Sequence, residues 1–129
     1  MKKIAIVIGC MVHASSIFAM GSPVCSAATS AGDGNAIDGD KGYVGASGGS
    51  GFVINTFTPK CSANVHAAVQ QNETVFAVAA GSKKGRNMFS GSTNGGGVKP
   101  EAGASYPNGV ANGNVMDAAT TALAAATSS

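Results

Sequence analysis

Large apolar side chains are what this chain has least of. It holds no tryptophan and one leucine, Leu123, and past its N-terminal leader the only aromatic anchors are Tyr43, Phe52, Phe57, Phe76, Phe89 and Tyr106. Much of the 44% of hydrophobic residues is alanine. Alanine buries little area, so it gains little at about 25 cal/mol per Å². A small domain built this way draws on a disulfide, a metal or a partner subunit. Titratable chemistry is equally thin, because the chain past the leader keeps one histidine, His66, and six scattered acids. Catalysis needs groups with tuned pKa values gathered in one cleft, so no enzyme is expected and no catalytic residue is named. P-loop and dinucleotide fingerprints are absent as well, and no cofactor is expected.

What is present begins with a leader. Met1-Lys2-Lys3 is a charged start, and Ile4 to Met11, continued through Ile17-Phe18-Ala19, is an apolar run too short to anchor as a spanning helix. This is the pattern of a secretory signal peptide over residues 1–19, with cleavage after Ala19 and Gly21 as the alternative. Val7-Ile8-Gly9-Cys10 has the form of a lipidation box, but the apolar stretch ahead of Cys10 is shorter than such a signal needs. Removing Lys2 and Lys3 leaves six basic and six acidic residues, so the formal charge of +2 belongs to the leader alone. A general nucleic-acid or membrane role therefore has no support in the mature charge, and no transmembrane segment is expected in the mature chain.

Removing the leader also leaves two cysteines, Cys25 and Cys61. In an exported chain two cysteines pair, and only one connectivity exists. With cysteine committed to a disulfide and one histidine left over, no metal site is expected.

The pattern of a packed fold is concentrated between Phe52 and Thr93. Ala63, Val65, Ala67 and Val69 alternate with Asn64, His66 and Gln70, the period of a strand with one dry face and one wet face. Gln70-Gln71-Asn72-Glu73 interrupts, and Val75-Phe76-Ala77-Val78-Ala79-Ala80 follows with apolar residues on both faces. The pattern predicts antiparallel strands near 52–57, 62–69, 74–82 and 87–93, a mainly β fold made of a small sheet or partial sandwich. Around that 52–98 core lie a Gly/Ser/Ala-rich lead-in over 20–51 and a turn-rich linker and small-residue tail over 99–129. In the tail, Asn114 and Asp117 favour a helix start ahead of Ala118 to Ala126, although an isolated helix of that length is marginal.

Several local matches are explained by composition. Gly45-Ala46-Ser47-Gly48-Gly49 fits the nucleophile-elbow pattern, but it sits in a Gly/Ser-rich run with no helix pattern behind it. Asp33, Asp38 and Asp40 crowd together like a calcium loop, yet Ile37 takes a ligand position and no glutamate closes the loop. The first is a match expected by chance in such a run, and the second reads as a solvated turn.

The expectation is an exported bacterial structural protein of the cell surface or extracellular space, a filament, fimbria-like or matrix subunit that self-associates or joins another surface protein. It lacks the regular Gln/Asn repeats of curlin-type amyloid subunits and the alternating aromatic C-terminal strand of chaperone-usher pilins. Val75, Phe76, Ala77, Val78, Ala79 and Ala80 form an uncharged strand suited to pairing with an added strand, provided its edge is reachable. A second reading is a secreted binding module or adhesin gripping an anionic polysaccharide through Lys83, Lys84 and Arg86, and a third is a secreted antibacterial peptide or toxin.

Overall fold

The computed structural model describes residues 21–28, 30–37, 51–95, 97–102 and 105–128. The segment 1–19 expected to be a signal peptide, Cys10, Asp38, Asp40, Tyr43 and the Gly45–Gly49 run lie outside the described residues. In chain order the described elements are β1 (Ser22–Ser26), β2 (Gly32–Asp33), β3 (Lys60–Cys61), β4 (Val65–Gln71), β5 (Phe76–Ser82), β6 (Met88–Ser92), β7 (Lys99–Pro100) and α1 (Asn112–Thr127). The fold is mainly β, as the pattern predicts, with one helix at the C-terminal end.

Period-2 patterning makes the middle of the sheet. Along β5 buried and half-buried side chains alternate over the whole strand. Ala77, Ala79 and Gly81 point to the helix side, while Phe76, Val78 and Ala80 point to the other. The turn from β4 to β5 is held by Asn72, whose Oδ1 accepts from the N–H groups of Thr74 (2.9 Å) and Val75 (2.8 Å), an Asx turn. β6 then returns beside β5 with Phe89 opposite Ala80. The sheet runs β1-β4-β5-β6-β7, antiparallel throughout, and β2 and β3 form a separate two-stranded ribbon.

The stretch 52–57 is not a strand of this sheet, contrary to its β-prone composition. Only Phe57 makes a bridge, to Ile37, and the Val53 N–H donates to Gln71 Oε1 (3.1 Å). The reason is competition for edges: Ser22–Ser26, from the stretch read as an irregular lead-in, already occupies the free side of β4. The cysteine pair secures that choice. Cys25 and Cys61 are bonded, with Cα atoms 5.6 Å apart, tying β1 to β3. Around the bond Val24, Ile37 and Val69 form a small core, with Val53 packed against it. Asp33 sits opposite Lys60 in the ribbon and forms an exposed ion pair with it.

The tail is an ordered helix of 16 residues. It begins at Asn112 rather than behind an Asn114 cap, and Asn114 acts from inside the first turn, its Oδ1 accepting from the Ala111 N–H (2.9 Å). Docking stabilises it, since it lies across β4, β5 and β6. Val115, Ala118 and Ala119 close on Ala68, Ala79 and Met88 of the sheet and on Val110. Alanine on both sides of this contact lets the helix backbone approach the sheet closely, so residues that bury little area singly still exclude water together. Gly21 joins the same contact. Its N–H donates to Thr120 Oγ1 (2.7 Å), and a Cβ on it would meet the Met116 carbonyl oxygen at 2.5 Å.

Candidate interaction surface

The helix covers one face of the sheet; on the other, among the described residues, the 51–61 stretch packs over the β1–β4 half through Val53 and Cys61, and Phe76 and Val78 of β5 pack against the same cluster. Toward β6 the described residues leave that second face more exposed. Phe76, Val78 and Ala80 stand along it, Phe89 and Gly91 lie opposite Ala80 and Val78 on β6, and Val98 rests on Gly91, where a Cβ would meet Val98 Cγ2 at 3.3 Å. Phe89 is 42% exposed and Val98 65%. In the segment that Val53 anchors, Ile54 is 84% exposed. The strip carries no charged side chain until Arg86 at its end, where Arg86 and Phe89 line one shallow groove with Val65. Apolar surface gathered this way marks an interaction site more often than scattered exposed residues do.

No family model, curated protein or solved structure matches this chain.

The cationic residues lie where β5 turns into β6. The Gly85 N–H donates to the Ser82 carbonyl (2.9 Å), the Lys84 N–H to Ser82 Oγ (3.2 Å) and the Lys83 N–H to the Asn64 carbonyl (2.8 Å). This tight turn holds Lys83, Lys84 and Arg86 exposed, and none of them forms an ion pair among the described residues. The structure therefore brings the three charges together in one turn.

His66 lies elsewhere than its alternation suggests. Its strand side, read as wet, is the side beneath α1: Ala68 of the same side is buried against the helix and Gln70 is 7% exposed. Asn112, in the first turn of α1, is its neighbour. Burial pushes the His66 pKa below the ordinary 6.5 and Lys83 adds to the shift, while a hydrogen bond with Asn112 opposes it. The consequence for stability has a definite sign. Above the unfolded-state pKa both states are neutral at His66 and its contribution is complete. As pH falls below that value the unfolded chain takes up the proton first, and stability drains until the lowered folded-state pKa is passed. We expect the melting temperature to fall between pH 7.5 and pH 5, and His66→Gln to shrink that difference. An unchanged difference would mean that other groups govern it.

Val75 to Ala80 is the centre of the sheet. β4 pairs with one backbone edge of β5 and β6 with the other, so an added strand has no edge to reach there. The sheet's true edges are blunted. β1 contains Pro23, and its outer side is met by Asn35, whose N–H donates to the Val24 carbonyl (2.9 Å) and whose Nδ2 donates to the Pro23 carbonyl (2.8 Å). β7 is two residues long and ends in Pro100. Short edges with proline resist strand addition. Among the described residues no three His, Cys, Asp or Glu side chains come together, and no helix is long and apolar enough to cross a membrane.

Sequence reasoning names the apolar strand and the cationic turn but misses the open face itself. The signal is there in Met88-Phe89, where the first side chain is buried under the helix and the next is exposed. Strand alternation makes one of the two a surface residue.

Proposed function

We propose that this chain is an exported structural protein of the cell surface or extracellular space, one that acts by joining other protein surfaces rather than by catalysis. The observation that carries the reading is the uncharged strip of Phe76, Val78, Ala80, Phe89 and Val98 on a sheet face that the described residues cover only in part. Export is supported by the leader pattern, and the Cys25–Cys61 disulfide accords with an oxidising compartment. The hydrogen bond of the Gly21 N–H to Thr120 Oγ1 favours processing ahead of it, after Ala19, since a cut after Gly21 would delete that contact.

The test is to recover the protein from the extracellular or periplasmic fraction, read its N-terminus and measure its mass by light scattering from low to high micromolar concentration. Mass that rises with concentration, on a chain starting at Met20, is the expected result. A constant monomer mass, with salt-sensitive retention on an anionic polysaccharide that Lys84→Ala removes, would replace this reading with a binding module working through Lys83, Lys84 and Arg86.

A further inference from the structure

The open sheet face has a preferred occupant. We propose that it docks a second copy of the same chain, sheet against sheet, with the two β5 strands running in opposite directions. The inference rests on the self-associating reading above and specifies its contact.

A sheet apolar on both faces needs a layer on each. Here α1 is one layer and the 51–61 stretch is half of the other. Among the described residues the β5–β6 half is the less covered, with Phe89 and Val98 exposed and Phe76 and Val78 half-buried, and because its one charged neighbour, Arg86, lies at its end, it packs on its own image without burying an ion. Charge lies instead at the two ends of β5 and has opposite sign there. Glu73 is in the turn that enters the strand, and Lys83 and Lys84 are in the turn that leaves it, all three exposed. Seven residues of strand separate those turns by about 20 Å.

A two-fold axis running along the strands would lay Glu73 over Glu73 and lysine over lysine. An axis perpendicular to the strands lays Glu73 of each copy over the lysines of the other, twice. Complementarity therefore selects the antiparallel arrangement. A contact of this kind is isologous and closes at two copies. Its extent, two strands wide, places it among small and readily reversible interfaces, with less than about 800 Å² buried per partner.

The test uses the full mature protein with its disulfide intact and reads the monomer–dimer equilibrium by sedimentation. Val98→Asp and Phe89→Asp are expected to weaken association by about a hundredfold or more, with unchanged circular dichroism. Val98 is the safer variant for folding because it is the more exposed of the two. Glu73→Lys alone and Lys84→Glu alone should each weaken association by about tenfold at low salt, each reversal placing like charges together at two points. An equimolar mixture of those two variants should recover the wild-type affinity. Association untouched by Val98→Asp and Phe89→Asp would overturn this face as the contact while leaving self-association standing. Charge reversals without effect, beside a disruptive Val98→Asp, would overturn the antiparallel pairing. A wild-type monomer at every concentration would overturn both the contact and the structural reading beneath it.

Discussion

Gly109→Ala should unfold this chain or leave it barely stable, a larger effect than alanine is expected to have at any other described glycine. Gly109 has φ of +87°, where a Cβ is strained from the outset. The added carbon would also stand 1.7 Å from the Lys83 carbonyl oxygen and 2.6 Å from its carbon. Both obstacles are backbone, so no side-chain rotation relieves them. The segment must move, and it is the clamp between sheet and helix: the Gly109 N–H donates to the Tyr106 carbonyl (2.9 Å) and the Val110 N–H to the Ser82 carbonyl (3.1 Å). Val110, 1% exposed, fits against β5 only because Gly81 has no side chain; a Cβ there would meet both Val110 methyl groups at 2.8 Å. Withdrawing Val110 loses its burial and leaves a void, which together with backbone strain costs about 3 to 5 kcal/mol. Urea denaturation checks this, with Gly113→Ala as the control. Gly113 lies within α1 with open space around its Cβ position, and alanine there should be neutral or stabilise by up to about 1 kcal/mol. Equal midpoints for Gly109→Ala and wild type would mean that the 106–110 segment is not clamped to the hairpin.

The same contacts explain which parts of the fold are legible in the sequence. β4, β5 and β6 announce themselves because alternation and turn residues are local signals, and Asn72 and Gly85 fall where the chain reverses. β1 does not. Ser22-Pro23-Val24-Cys25-Ser26 is short, half polar and contains proline, and it becomes a strand only because β4 has a free side and Cys25 is tied to Cys61. Phe52 to Phe57 has the stronger β composition, but it finds that side of β4 already taken and lies across the sheet face instead. The helix was hard to foresee for a different reason. Ala118 and Ala119 look like weak anchors on their own, and their value depends on meeting Ala68 and Ala79, small residues some forty to fifty positions away. The open face follows the same logic. Apolar residues on both sides of Val75 to Ala80 predict a strand covered on both sides, and only the tertiary structure reveals that the described residues leave its Phe76-Val78-Ala80 side half-buried.

Breaking the Cys25–Cys61 bond should remove a large share of the stability. The bond closes a loop with a sequence separation of 36, and the chain-entropy model assigns such a closure about 4 kcal/mol. Domains of this size are stable by only about 5 to 15 kcal/mol. The structure makes the loss local as well as global. β1 is an edge strand held by one ladder, to β4, by the two hydrogen bonds from Asn35 on its outer side and by the Gly21 contact with Thr120. The bond also pins the ribbon and the Val53 segment over Val24, Ile37 and Val69. Reduction therefore frees the layer that covers the β1–β4 half of the sheet and enlarges the bare apolar face. Cys25→Ala/Cys61→Ala removes the bond without burying a hydroxyl in that core, so its urea midpoint measures the constraint itself. Amide exchange in β1 should quicken before exchange in β5, which is paired on both edges. If the variant also associates less selectively, so that Val98→Asp no longer returns it to monomer, the disulfide limits how much sheet is open to partners as well as keeping the subunit folded. Uniform exchange across β1 and β5, with an unmoved midpoint, would show instead that the β1–β4 ladder holds the edge without the bond.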